Sequence, residues 1–509
     1  MTRVLKTDDN YFNLKHKNFY LTIVIGFFIS CSDLSQKNPN IILIVADDLG
    51  WTDLSCMGST YYETPNIDKL SESGMTFYNG YASAANCAPS RATMLSGKYQ
   101  NAHGIYSVVS PFLGYGSERG SRKTRKIIPI ETKSNLDLDF FTIPEMLKDV
   151  GYINGHFGKW HLGDVGFHPE DRGFDINVGG NKYGGPGGYF SPYKYTNMDN
   201  GPNGEYLTDR LGDEVIKFIE KNKDNHFFAY VPFFSVHTPI QSKPGYQKKY
   251  NNKNSNKYHN RADYAGMIQS LDENVGKILD KINLLNLSEN TLIIFTSDNG
   301  GISSISNQYP LRAGKGSYYE GGIKVPLIFS WKGKIDAGSE SYDRISNIDF
   351  YPTIKQLVGY TSPIDLDGED ISPVLYGKKL KKRELYFHFP VYLEPYNVHK
   401  DNGKDPLFRT RPGTVIIKDN WKLHHYYEDN EFELYNLEKD VSESTNLIDI
   451  NFKKKTELLS DLNNWRKTND TPIPSELNPY YDQKYSDSLL FLIDKNIISG
   501  KVNKNEARK

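Results

Sequence analysis

The residues of this chain that could do chemistry begin with a cysteine and an arginine four positions apart. The stretch Asn86-Cys87-Ala88-Pro89-Ser90-Arg91-Ala92-Thr93-Met94-Leu95-Ser96-Gly97 sets the cysteine among small and polar residues and follows it with an apolar-periodic run. This pattern predicts a loop entering a helix. Cys87 then lies near a helix N-terminus, where free amide groups and the positive dipole end favour an anion. Arg91, one turn on, adds a fixed guanidinium fork. A lone cysteine in such a place is more often a small buried core residue, so the rest of the chain has to decide.

Two apolar runs end in clustered oxygen donors. Residues 38–46 read NPNIILIVA and stop in Asp47-Asp48-Leu49-Gly50; residues 291–296 read TLIIFT and stop in Ser297-Asp298-Asn299-Gly300-Gly301. Both have the length and composition of buried strands. Adjacent carboxylates at a buried strand end repel each other and are costly to desolvate unless a cation lies between them. For an isolated pair, one capping and one solvated Asp is the simpler alternative. Together, Asp47, Asp48, Asp298 and the Asn299 amide make a hard oxygen set that suits Ca²⁺ or Mg²⁺ rather than Zn²⁺. Ca²⁺ is the expected ion, with substrate and residue 87 completing its shell. In an open α/β sheet, ligands collect beyond the carboxyl ends of strands, which lets the two acidic ends and the Cys87 loop meet.

Three further segments carry cations and imidazoles. In Gly158-Lys159-Trp160-His161-Leu162-Gly163 the alternation predicts Lys159 and His161 on one face of a strand. Residues 226–236 (HFFAYVPFFSV) predict another buried strand, closed by His237-Thr238-Pro239. Leu311-Arg312-Ala313-Gly314-Lys315-Gly316-Ser317 sets Lys315 between glycines that permit close backbone approach. Taken alone, Lys315 reads as a solvated loop lysine and His237 as a strand cap.

Cys87-x-Pro89-Ser90-Arg91 with Gly97 resembles the signature of the type I, formylglycine-dependent sulfatases of the alkaline phosphatase superfamily. Thr64-Pro65-Asn66-Ile67-Asp68, Gly74-Met75-Thr76-Phe77, Gly97-Lys98-Tyr99, His103-Gly104, the GKWHLG segment, His237-x-Pro239 and the Lys315 segment extend the resemblance. It implies that a maturation enzyme oxidises Cys87 to formylglycine, whose hydrate is the nucleophile. Asp47, Asp48, Asp298, Asn299 and residue 87 would hold one divalent cation. Arg91, Lys159 and Lys315 would neutralise the sulfate, His237 would serve the leaving oxygen, and His161 would assist sulfate release. Asp298 would also take the proton of the attacking hydroxyl, and His103 would stand either behind the site or as a structural histidine. The implied reaction is hydrolysis of sulfate esters on a carbohydrate. Residues 179–193, with GGPGGYFSPY, resemble a stretch of polysaccharide sulfatases, some acting on galactose-type sugars. A formylglycine-dependent phosphonate or phosphate ester hydrolase shares the cysteine motif, and a glycan-binding lipoprotein could keep the scaffold without turnover.

The elements that must position these residues follow from periodicity. Residues 206–221 and 262–285 repeat apolar positions at i, i+3, i+4 and predict helices covering a sheet. Strands alternating with helices predict a large, mostly parallel α/β sheet flanked by helices, alkaline-phosphatase-like by resemblance. From residue 380 the texture changes to short alternating runs at 385–389, 414–418, 421–427 and 432–435, then a helix at 452–467, which predicts a smaller α+β subdomain on an antiparallel sheet. The expected divisions are a signal peptide at 1–30, a catalytic domain at 38–379, the subdomain at 380–469 and a tail at 470–509.

Composition narrows the partners. The chain has 509 residues, 61 basic and 62 acidic, so no global field draws it to nucleic acid or to a membrane surface. Its 36 Tyr and 26 Phe offer aromatic surface for sugars or for the core. Three cysteines cannot make a disulfide framework. Lys15 and Lys17, the apolar run 19–29 and Ser30-Cys31 predict a signal peptide, too short to span a bilayer, with a loose lipobox. That implies an exported lipoprotein of the periplasm or outer membrane, attached only through a lipid on Cys31; an ordinary secretory signal is the alternative. Residues 107–139 hold Arg119, Arg122, Lys123, Arg125 and Lys126, and read either as a clamp for a polyanionic sugar or as a solvated insertion.

Overall fold

The structure, a computed structural model, describes residues 38–108, 122–498 and 500. The predicted signal peptide, the lipobox and Arg119 lie outside the described residues.

The strands begin with β1 (Asn40–Ala46), β2 (Met75–Phe77), β3 (Gly80–Tyr81), β4 (Ile153–Phe157) and β5 (Ile176–Val178). They continue with β6 (Phe227–Pro232), β7 (Thr291–Ser297), β8 (Leu327–Ser330), β9 (Ser339–Ser341) and β10 (Ile345–Ser346). Eight of them form one sheet in the order β5-β4-β6-β1-β7-β8-β2-β9. From β5 to β7 every pairing is parallel, and β8 alone runs against its neighbours. β3 and β10 make a separate short parallel pair.

β1 is a continuous apolar run because both of its faces are covered. Ile42, Ile44 and Ala46 enter one hydrophobic core; Ile41, Leu43 and Val45 enter another on the opposite face. The alternation is that of a strand, whose side chains leave on opposite faces. Each buried Ile or Leu there contributes about 2 kcal/mol of transfer free energy. The helices Leu207–Asn222 and Ala262–Leu284 supply the first core, with Leu211, Val215, Ile268 and Leu271 among its members. Cys87–Ser96, Ile143–Asp149 and Phe350–Leu357 supply the second. The arrangement is the predicted α/β sheet with helices on both faces. None of the helices among the described residues is long and apolar enough to cross a membrane.

β11 (Glu384–Phe389), β12 (Gly413–Lys418), β13 (Trp421–Tyr426) and β14 (Glu431–Asn436) form an antiparallel meander. The helix Phe452–Thr468 packs on it through Leu458 and Leu462.

Two strand predictions need correction. β4 ends at Phe157, so Lys159, Trp160 and His161 are loop residues and not an alternating strand face. His161 takes a left-handed backbone, φ 62°, which a strand cannot accommodate. β6 ends at Pro232, five residues before His237, so that histidine sits in the loop beyond the strand. The described part of the basic segment is also not a free clamp. Lys123, Arg125 and Lys126 face Asp482, Glu394 and Asp429 at 3.9, 3.5 and 2.7 Å.

Candidate active site

Four adjacent parallel strands, β4, β6, β1 and β7, deliver their carboxyl ends side by side, and each is followed by a segment singled out in the sequence. β1 leads into Asp47 and Asp48, β7 into Asp298 and Asn299, β4 into Lys159 and His161, and β6 into His237. Cys87 opens its helix with Asn86 as the N-cap, as predicted. The order of the sheet brings together residues that are 40 to 250 positions apart.

Cys87 Sγ lies 3.2 Å from Lys315 Nζ, 3.6 Å from Asp47 Oδ1 and 3.9 Å from Asp48 Oδ1. Asp47, Asp48, Cys87 and Asp298 each offer a donor atom within 4.8 Å of the others. Three cations face these carboxylates. Lys159 Nζ is 2.7 Å from Asp47 Oδ2, Lys315 Nζ is 2.6 Å from Asp48 Oδ1, and Arg91 Nε donates to Asp298 Oδ2 at 2.8 Å. Arg91 Nη1 also donates to the Lys159 carbonyl at 2.9 Å, tying the Cys87 helix to the β4 loop. All six charged groups are buried. His161 is 8 % exposed, and the His237 side chain is the more open of the two histidines, 20 % exposed.

The electrostatics follow from burial. It pushes Asp47 up to about 7, against the pull of Lys159 and with further push from Asp298 and Asp48. Burial also works to raise Asp48, but Lys315, His237 and Lys159 outweigh it and hold Asp48 below the usual carboxylate range. The thiol of Cys87 goes up to about 12 by burial, which Lys159 and Lys315 only partly offset. At neutral pH it is therefore a thiol and a weak nucleophile. Burial opposes charge on Lys315, yet Asp48, Cys87, Tyr396 and Asp47 keep its ammonium well above its ordinary value. Burial drives His237 down to about 3, with Asp48 pulling the other way, and drives His161 well below its ordinary value with Lys159 adding to the shift. Both imidazoles are neutral at physiological pH.

The donor set fits a hard divalent cation. Asp48 Oδ2 and Asn299 Oδ1 are buried and have no hydrogen-bond partner. Buried polar oxygens are almost always satisfied, and an orphan costs about 1–3 kcal/mol. Two such orphans beside a carboxylate raised by burial fit the ligand set of a divalent cation. Asp48 also adopts a left-handed backbone, φ 64°, which turns the second carboxylate toward Lys315 and Asn299.

His237 Nδ1 is 2.7 Å from the Thr238 carbonyl. A carbonyl only accepts, so Nδ1 carries the proton and Nε2, 3.7 Å from Asp48 Oδ2, is the nitrogen directed at the site. The loop over residues 179–193 packs on both histidines. A Cβ on Gly184 would lie 2.5 Å from His161 Cε1, and one on Gly185 would lie 3.1 Å from His237 Cε1. Tyr189 reaches under the same loop, its hydroxyl 2.8 Å from the His237 carbonyl and 2.5 Å from that of Phe234. Tyr189 and the two glycines fall in a segment marked by its Gly and aromatic content, but their individual roles had no sequence signal. His103 is structural. Its Nδ1 accepts from the Ile105 amide at 3.1 Å, leaving Nε2 for Thr93 Oγ1 at 3.0 Å.

A buried cysteine, a set of carboxylate and amide oxygens that could hold a divalent cation, and three cations at one sheet edge agree with the comparisons to known proteins. The model of the family "Sulfatase" matches residues 39–360, and that of the "N-sulphoglucosamine sulphohydrolase, C-terminal" family matches residues 314–470. The chain belongs to the sulfatase family. A sulfatase of Formosa agariphila is 35 % identical over 548 aligned positions, covering 90 % of this chain and 95 % of that one. The N-acetylgalactosamine-6-sulfatase of the dog, Canis lupus familiaris, is 32 % identical, with 72 % of each chain covered. The crystal structure of Ps i-CgsB in complex with k-i-k-neocarrahexaose superposes with a TM-score of 0.71 at 30 % identity, covering 90 % of this chain and 98 % of the other. This sulfatase is accordingly a hydrolase of sulfate esters, and its relatives include enzymes named for sulfated carbohydrates.

Proposed function

We propose that this sulfatase removes sulfate ester groups from a sulfated polysaccharide or its oligosaccharides, of galactose type, through a formylglycine formed at Cys87. The observation that carries the reading is Cys87 Sγ held among Lys315, Asp47 and Asp48 at 3.2, 3.6 and 3.9 Å. The sugar class is supported by the relative named for N-acetylgalactosamine and by the solved structure with a neocarrahexaose.

Asp47, Asp48, Asp298, Asn299 and residue 87 would hold the divalent cation, for which Ca²⁺ fits an all-oxygen set best. When bound it supplies positive charge that polarises the sulfate and favours the ionised nucleophile. The formylglycine hydrate supplies one hydroxyl as nucleophile and a second whose deprotonation expels sulfate; the unmodified thiol has no second hydroxyl. Conversion of the cysteine requires a dedicated maturation enzyme.

The chain's own residues do the rest. Arg91, Lys159 and Lys315 bring three positive charges to one buried site, where they neutralise the charge that develops on sulfuryl oxygens. Were a cation held by Asp47 and Asp48, Lys159 and Lys315 would be free to face the substrate. Asp298 would take the proton of the attacking hydroxyl. His237, the more open imidazole, would take a proton from solvent at Nε2 and pass it to the leaving sugar oxygen, and His161 would take the proton lost as sulfate departs. These residues all fall within the proposed catalytic domain at 38–379.

Two measurements test this. Mass spectrometry of the peptide containing residue 87 is expected to show formylglycine; cysteine alone in active enzyme overturns the mechanism. Turnover of an aryl sulfate is expected to exceed that of the matching aryl phosphonate monoester, and a phosphonate preference overturns the substrate class. Export as a lipoprotein through Cys31 is part of the proposal. A Cys31→Ser variant should move from the membrane fraction to the soluble fraction, and an unchanged distribution refutes the anchor.

A further inference from the structure

Arg409 is a cation that the sulfatase reading leaves unexplained. It lies in the segment between β11 and β12 and is 8 % exposed. Among the described residues no carboxylate lies within ion-pair distance of it. Its Nη1 donates to the Lys315 carbonyl at 2.6 Å and its Nε to the Glu394 carbonyl at 2.7 Å. Its guanidinium carbon sits 3.8 Å from the centre of the Tyr396 ring. Burying a charge without a counterion is costly, and two carbonyls with one aromatic face meet only part of that cost.

The surroundings are built to hold this cation where it is. Asp401 Oδ2 accepts from the Tyr396 and Asn397 amides and shapes the turn that carries the ring. A Cβ on Gly316 would lie 2.2 Å from Arg409 Nη1, so a larger residue there would displace the guanidinium, and the φ of 84° is one that glycine adopts freely. Tyr396 is half-buried and is among the groups that act electrostatically on the Lys315 ammonium. Lys315 thus carries its ammonium toward Cys87 at one end and accepts from Arg409 at the other.

From this placement we infer that Arg409, with Tyr396 as its stacking partner, reads a second anionic group on the substrate, one beyond the sulfate being hydrolysed. The preferred substrate is then a polyanionic sugar, such as a doubly sulfated disaccharide unit, with the second charge on the Lys315 side of the site. The planar fork of arginine suits a sulfate or carboxylate, and such a pair is stronger than a neutral hydrogen bond. This inference rests on the reading of Lys315 as part of the sulfate cradle.

Binding calorimetry tests it independently of turnover. The probes are matched galactan oligosaccharides bearing one or two sulfates per disaccharide, titrated into the full-length protein carrying Cys87→Ser. The doubly sulfated set is expected to bind about 10-fold or more tightly than the singly sulfated set. In an added Arg409→Gln change that gap should collapse to about 2-fold, while Arg409→Lys should keep part of it. No gap in the parent protein, or a gap that survives Arg409→Gln, overturns the inference. Should Arg409→Gln not fold, the parent gap and the Arg409→Lys value decide in its place. Turnover of 4-nitrophenyl sulfate by the wild type, and its loss on Lys315→Ala, judge the cradle separately. A missing gap with normal turnover sinks the second subsite alone; a gap without turnover sinks the cradle alone.

Discussion

Two clusters of fully buried charge in this molecule look alike and do different things. At the sheet edge, Lys159 and Lys315 face Asp47 and Asp48 beside Cys87. Between the large sheet and the C-terminal meander, Lys422 Nζ lies 3.0 Å from Glu320 Oε1 and 2.9 Å from Glu443 Oε1. Burial pushes one carboxylate in each cluster, Asp47 and Glu443, up to about 7. The second cluster is closed. Glu320, Lys422, His424 and Glu443 are each no more than 1 % exposed, and Glu443 Oε2 also caps the Glu320 amide at 2.6 Å. Both clusters hold buried polar atoms without a hydrogen-bond partner, Asp48 Oδ2 and Asn299 Oδ1 in the first, Glu443 Oε1 and His424 Nε2 in the second. Only the first adds a 20 % exposed histidine and a cysteine among its carboxylates. Buried charge and unsatisfied atoms therefore do not define a site by themselves; a clustered oxygen donor set with a cysteine and a partly exposed histidine beside it does.

The contrast can be broken at either cluster. Cys87→Ala should cut sulfate ester turnover at least ~1,000-fold with little loss of thermal stability, because the machinery around it cannot replace the nucleophile. Retained turnover would show that residue 87 is not the reacting position. Lys422→Ala should do the reverse. Leaving Glu320 and Glu443 buried without a cation should cost about 3–5 kcal/mol in urea unfolding. Turnover per folded molecule should fall far less than in Cys87→Ala, and a loss of similar size would join the second cluster to the chemistry.

Stripping divalent cations with EDTA should lower turnover by ~100-fold and lower Tm. Ca²⁺ should restore both, since an ion bound only by the folded state stabilises it. An EDTA-resistant enzyme would mean that the oxygen nest holds no essential metal.

The two carboxylates should also separate by pH. A carboxyl raised to about 7 in the folded state binds its proton more tightly than in the unfolded chain, where the ordinary values are 3.8 for Asp and 4.5 for Glu. Stability from each is complete below the ordinary value and is lost as pH rises toward 7. Unfolding free energy should therefore fall by roughly 2–3 kcal/mol for each of the two between pH 5 and 8. Saturating Ca²⁺ should remove the share of Asp47, and Glu443→Gln that of Glu443. A slope untouched by both changes would refute the assignment. The smallest expected effect is at the loop over the histidines. Gly184→Ala should lower kcat about 10-fold through His161 while KM moves less, and unchanged kinetics would free His161 from that contact.

Much of this site was legible in the sequence because each element announces itself locally. NIILIVA and TLIIFTS are strands by composition and length. Asp47-Asp48 and Asp298-Asn299 follow them directly, and Cys87 opens its helix where the Asn-Cys-x-Pro-Ser-Arg pattern places it. Local pattern misled where the backbone leaves regular structure. Alternation at Lys159 and His161 resembles a strand, but β4 ends at Phe157 and His161 has a left-handed backbone, with the Lys159 and His161 amides donating to the Pro232 and Asn181 carbonyls. Arg409, Tyr189 and Gly184 carried no mark of their own, since what matters about them is which distant group they touch.

The sequence by itself determined the residue types, the strand and helix periods, and the chemistry open to a cysteine, carboxylates and lysines. Only the tertiary structure decided that β4, β6, β1 and β7 lie side by side, so that Lys159, His237, Asp47 and Asp298 share one edge. It also decided that Lys422 is closed in while Lys315 faces Cys87. The physical reason is that periodicity is encoded between near neighbours along the chain, whereas charge neutralisation and desolvation depend on contacts between residues far apart in it, such as Lys315 and Asp48.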